Sequence, residues 1–314
     1  MKTITQAFRT LLVFMLIFYC VGVYAQRKEV SYFNDSVEIC PLADKELIDS
    51  CYNLLDRNMM LETDGIYGQI AVIDATTSEV LAWASLEKQL DDDCGWCGDM
   101  VYVPFKKQVC STDIFVPFIA AKCLEESNTP LGKMVDTGCG ILEVNDSLQI
   151  RNHNWRRGGY GEVTFEKALL MKSRIGMYKA FMTMPNGADL WEQAYDTIQK
   201  SNAIELAISF NQMYHQRSSL EYVKEIATGI FEKTGIQHRL APRGIKLAGI
   251  YNILQCDDNK RSSDEFTFVG CFPADNPKYT ISMVVVRPHK LPAAIGMLSK
   301  EVNQLIEWLM NRNI

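Results

Sequence analysis

Residues 266–279 read FTFVGCFPADNPKY, and this stretch decides the architecture. An apolar run of β-branched and aromatic residues ends at Phe272. The turn formers Pro273, Asp275, Asn276 and Pro277 interrupt it, and a second apolar run begins at Tyr279. Three strand-like runs cover 244–255, 265–272 and 279–287. Near the other end of the chain, residues 68–85, GQIAVIDATTSEVLAWAS, read as two apolar strands around a polar turn at Thr76-Thr77-Ser78. Helical patterns lie between these groups, and a last helix carries Ile295, Leu298, Val302, Leu305 and Leu309 at spacings of three and four. A hairpin, a helical middle, three strands and a terminal helix are the order of an α+β domain. Its five-stranded antiparallel sheet is expected to carry helices on both faces, and a parallel βαβ alternation does not fit.

The remaining helices are expected at 43–60, where Leu47, Ile48, Cys51, Leu54 and Leu55 are spaced helically, and at roughly 163–185, 188–214 and 219–233. Another opens at Asp113, with Asp113 as its N-cap and Pro117 inside the first turn, where proline is tolerated. A Gly- and Asn-rich stretch fills 138–161.

Several of these stretches, in order, resemble the transpeptidase domain of class B penicillin-binding proteins of the cell-division type. The hairpin 68–85 is similar to that family's opening hairpin. Phe115-Val116-Pro117-Phe118 falls where the family has the end of Ser-Thr-Phe-Lys-Pro-Phe. HNWRRGGYGEVTFEKALLMKSRIGM, 153–177, resembles the loop and helix bearing the second motif. KLAGIYNILQ, 246–255, sits where the family has Val-Ala-Gly-Lys-Thr-Gly-Thr-Ala-Gln, and 266–279 is the most specific match. The resemblance covers most of 66–290 and implies a penicillin-binding protein/β-lactamase-like fold. In that family a serine at a helix start attacks a D-Ala-D-Ala carbonyl after a lysine one turn along takes its proton. A second serine and an asparagine relay protons, and a Lys-Thr-Gly strand edge pairs with the peptide backbone.

This chain departs from the family at each of these positions. Aligned on Pro117-Phe118, the nucleophile position holds Asp113 and the base position Val116. Aligned on Ile175-Gly176, the second motif becomes Lys172 and Arg174. Aligned on Ala248-Gly249 and Gln255, Lys-Thr-Gly becomes Ile250-Tyr251-Asn252. An aspartate attacking a carbonyl gives a labile anhydride, and valine is no base, so the resemblance implies a degenerate, non-catalytic site. Asp113, Lys172 and Arg174 are expected to converge in the old cleft. There the two cations either satisfy the acid or bind a stem-peptide carboxylate. The fragments Ser85-Leu-Glu-Lys88, Ser209-Phe-Asn211 and Lys233-Thr234-Gly235 imitate the three motifs. Their contexts are a strand end, a helix interior and a helix stop. Trp155 and Tyr160 are read as packing for the Gly-rich loop.

Composition limits the remaining functions. Lys2 and Arg9, the apolar run Leu11–Val23 and the small-residue end at Ala25 form a signal-peptide pattern. Residues 26–314 are then expected as one exported domain, periplasmic or in the cell envelope, with contact to the membrane only through an uncleaved signal segment. Without Lys2 and Arg9, 30 basic residues face 38 acidic ones, which speaks against nucleic acid. Peptidoglycan stem peptides or wall-synthesis proteins are the expected partners, and no cofactor or metal is expected. Setting Cys20 aside leaves nine of the ten cysteines. Cys94-Gly-Trp-Cys97 has redox spacing but lies in a polar loop, and Cys256 with Cys271 is a candidate bridge between neighbouring strands. Two alternative functions follow: an active D,D-transpeptidase or carboxypeptidase using unorthodox residues, and an exported thiol protein working through Cys94 and Cys97.

Overall fold

The computed structural model describes residues 44–89, 100–103, 110–145, 148–196, 200–215, 221–232, 234–258, 261–289 and 294–312. The expected signal segment and Cys94-Gly-Trp-Cys97 lie outside the described residues. Helix α1 (Lys45–Arg57) starts where Asp44 accepts a hydrogen bond from the Leu47 amide at 3.2 Å, and it buries Leu47, Cys51 and Leu55 at a spacing of four. It widens into a π-helical turn, Asn58–Thr63, closed by Asp64 in the left-handed region.

Strands β1 (Tyr67–Asp74) and β2 (Val80–Lys88) form the expected hairpin. Asp74 shapes its turn by accepting from the amides of Thr76 and Thr77 at 2.7 and 2.8 Å. After β3 (Met100–Tyr102) and β4 (Cys110–Ser111), a 3₁₀ turn, Thr112–Phe115, leads into α2 (Val116–Glu126). The middle of the chain holds β5 (Met134–Asp136), β6 (Ile141–Glu143), β7 (Gln149–Arg151) and β8 (Glu162–Thr164). It continues with α3 (Phe165–Leu170), α4 (Arg174–Phe181), α5 (Gly187–Asp196), β9 (Lys200–Ser201), α6 (Ala203–His215) and α7 (Glu221–Gly229). Strands β10 (Ala248–Asp258), β11 (Arg261–Phe272) and β12 (Tyr279–Pro288) precede α8 (Ser299–Asn311).

Among the described residues the main sheet is antiparallel with strand order β10-β11-β12-β1-β2-β3, so the N-terminal hairpin docks on the C-terminal meander through β1 and β12. It has six strands where five were expected. The sixth, β3, is a three-residue edge strand paired through Leu86 and Tyr102, too short to show alternation in the sequence. Alternation along β1 assigns the faces. Gly68 lies against Leu55 and Met59, while Gln69 accepts from the Ala203 amide at the start of α6. Helices α1 and α6 therefore cover opposite faces.

The structure corrects four further expectations. The periodic run 163–185 is two helices, because Ser173 caps a second one by accepting from the Gly176 amide. The run 188–214 is likewise divided, between α5 and α6. Asp113 does not cap α2: it sits in the preceding 3₁₀ turn, and Phe115 occupies the N-cap without a side-chain bond. Cys256 and Cys271 do not oppose each other either. Cys271 faces Ala248 and Cys256 faces Ser263, which separates them along the ladder by about 25 Å at strand rise, and Cys271 is a free, buried thiol.

Candidate functional site

Three elements bring the altered motif positions together. The 3₁₀ turn ahead of α2 supplies Asp113, the α3–α4 junction supplies Lys172, and β10 supplies Ile250, Tyr251 and Asn252. Lys172 adopts φ +53, and this left-handed residue turns the chain between the two short helices. The junction is braced from below by buried Asn152, whose Oδ1 accepts from Ser173 Oγ at 3.0 Å and from the Ile175 amide at 3.1 Å.

Asn252 lies between the two charges. Its Nδ2 donates to Asp113 Oδ1 at 3.1 Å, and its Oδ1 accepts from Lys172 Nζ at 2.9 Å. Lys172 Nζ also donates to the Tyr251 carbonyl at 3.1 Å. An amide is suited to this place because it presents an acceptor to the ammonium and a donor to the carboxylate. Burial pushes the Lys172 ammonium down to about 8, and the Asp113 carboxylate pulls it back upward. Val116, at the base position, is buried at the start of α2 and carries no proton acceptor. Arg174 is the exposed first residue of α4.

Strand β10 is the outer strand of the sheet, so alternate residues present backbone N–H and C=O groups sideways. At Tyr251 those groups are already engaged. Gln237 Oε1 accepts from the Tyr251 amide at 2.8 Å, and Gln237 Nε2 donates to its carbonyl at 2.7 Å. The buried Gln237 amide thus imitates one residue of a neighbouring strand. Ile250 is fully buried. The Tyr251 ring packs against Phe231 and Phe268 at centroid distances of 6.0 and 4.5 Å. In the sequence Asn252 is legible only as the residue in place of a motif glycine, and nothing there marks Gln237 or Asn152. Gln237 lies in an irregular segment after α7, where no periodicity marks a partner of β10. Asn152 directly precedes the quoted second-motif stretch.

The imitation motifs have structural roles. Ser85 is buried and bonded to the Tyr67 hydroxyl at 3.1 Å. Asn211 ties α6 to the β1–β2 turn, donating to Ala75 O at 2.9 Å and Ser78 Oγ at 2.8 Å. Thr234 and Gly235 lie beyond the end of α7, and Lys233 is outside the described residues. Trp155 and Tyr160 are half-buried loop residues. Tyr160 Oη is 2.8 Å from His153 Nε2, and burial raises its phenol to about 12. Among the described residues no cluster of three or more His, Cys, Asp or Glu side chains is placed to hold a metal, and no helix is long and apolar enough to cross a membrane.

No family model matches the chain, and no curated protein matches it in sequence. Solved structures do match its fold. A peptidoglycan glycosyltransferase from Burkholderia ambifaria is 17% identical with a TM-score of 0.64, over 86% of this chain and 97% of that one. The apo TP domain of penicillin-binding protein 3 from Burkholderia pseudomallei is 18% identical with a TM-score of 0.65, over 90% and 98%. The chain has the penicillin-binding transpeptidase fold.

Proposed function

We propose that this chain is an exported cell-wall protein, one penicillin-binding-like domain over residues 26–314, that binds peptidoglycan stem peptide or wall-synthesis proteins without forming an acyl-enzyme. The observation that carries this reading is the bonded chain Asp113–Asn252–Lys172, made of residues that the sequence resemblance aligns with the family's nucleophile, proton-relay and strand-edge motifs. Asp113 is engaged by an amide, Val116 offers no base, and the Tyr251 backbone that would pair with a substrate strand is held by Gln237. Lys172, with Arg174 at the start of the next helix, is the group assigned to hold a carboxylate electrostatically.

Co-sedimentation of the purified protein with sacculi tests the binding role. The wild type is expected to sediment with them, and Lys172→Ala to do so less. Binding should weaken as pH passes through about 8 and the lysine loses its charge. A protein that remains in the supernatant at every pH would leave the carboxylate role without support.

A further inference from the structure

A second feature lies on the rim. The whole chain has a formal charge of −6, yet residues 151–174 contain six basic and only two acidic side chains. Arg151, His153, Arg156 and Arg157 are exposed, and the guanidinium carbons of Arg151 and Arg156 each stand 5.2 Å from the centre of the Trp155 ring. Burial first, and then the charges of Lys172 and Arg157, disfavour protonation of His153, so the loop is coupled electrostatically to the cleft. Among the described residues no carboxylate forms an ion pair with Arg151, Arg156 or Arg157.

The loop holds these groups on a fixed frame. Asn154 Nδ2 donates to the Gly159 carbonyl at 2.8 Å, and the Asn152 amide to Gly140 O at 2.9 Å. Gly159, at φ +71, is packed so closely on Cys139 and Gly140 that a Cβ would lie 2.4 Å from their backbone. Arg151 is further steadied by the Gln149 amide oxygen. Two guanidinium groups gathered on one indole repel each other until an anion arrives, and their forks are suited to planar oxyanions.

We infer that Arg151, Trp155, Arg156 and Arg157 form a docking surface for a short acidic peptide segment of a partner protein. The size of the patch argues for a short ligand. Beyond the screening distance of about 8 Å at physiological ionic strength, a long polyanion would lie over an acidic molecule. The indole between the forks supplies apolar contact for the methylenes of glutamate side chains. The surface uses residues distinct from the Asp113–Asn252–Lys172 chain and does not depend on that chain being inert.

Fluorescence anisotropy of a labelled hexaglutamate peptide with the purified protein tests the inference, with hexaglutamine and a six-nucleotide oligo-dT as comparison probes. Hexaglutamate should bind, hexaglutamine should not, and the affinity should fall severalfold between 50 and 200 mM salt. The pair Arg156→Gln and Arg157→Gln keeps two exposed side-chain stems and should weaken binding at least tenfold. Lys278→Ala, an exposed cation elsewhere, should leave it unchanged. Absence of hexaglutamate binding, equal binding by the double variant, or tighter binding of oligo-dT would each overturn the assignment. Arg156→Ala alone, expected to lose severalfold in affinity, provides a second check if the double variant does not fold.

Discussion

Lys172 is held by the Asn252 side chain and the Tyr251 carbonyl, at 2.9 and 3.1 Å. Burial lowers its pKa from 10.5 to about 8 in the folded protein, whereas the unfolded chain leaves it near its ordinary value. Between those limits the unfolded state binds more protons. The lysine's contribution to stability is therefore complete above pH 10.5 and is lost as pH falls through 8. Urea unfolding of the wild type and Lys172→Met at several pH values checks this. The wild type should gain on the variant between pH 8 and 10 by up to about 2 kcal/mol, allowing for partial solvent access. A constant difference across that range would contradict it. Neighbouring Ser173 should cost about 1 kcal/mol as alanine, because the Gly176 amide loses its cap and Asn152 loses a donor. The sequence identified Lys172, Asp113 and Asn252 as altered positions, since they are fixed by offsets from Pro117, Ile175 and Gln255. It did not reveal that Asn252 bridges the other two, because an amide bridging two charges depends on three segments meeting in space.

At the scale of the element, the outer edge of β10 decides what the cleft can accept. Gln237 engages both backbone groups of Tyr251 from a segment fourteen residues earlier. Gln237→Ala would leave a buried N–H without a partner, while the carbonyl keeps Lys172, so the cost should be about 1–3 kcal/mol. Hydrogen exchange at the Tyr251 amide should accelerate in that variant. An amide equally protected without Gln237 would mean that another group covers the edge. The strands were legible in the sequence because apolar runs bounded by turn residues, such as 266–279, are strong signals. Helix boundaries were not: apolar periodicity runs through residues 163–185, and only the cap chemistry of Thr164 and Ser173 marks the two separate starts. Strand β3 was invisible because three residues carry no period.

For the whole molecule, the order of elements gave the architecture, and the faces of the sheet followed from alternation along β1. The chain keeps the penicillin-binding transpeptidase fold at 17–18% identity to the solved structures it matches. A fold of this kind can persist while its chemistry is replaced, because the core depends on buried apolar positions and the reaction depends on a few polar ones. On the proposed reading, a bonded Asp113–Asn252–Lys172 chain stands in the cleft in place of a nucleophile and its base. Intact-mass spectrometry of the purified protein after long incubation with excess penicillin decides whether any acylation survives. An unchanged mass is expected. A stoichiometric adduct would contradict it, and the mapped residue would identify the nucleophile at work.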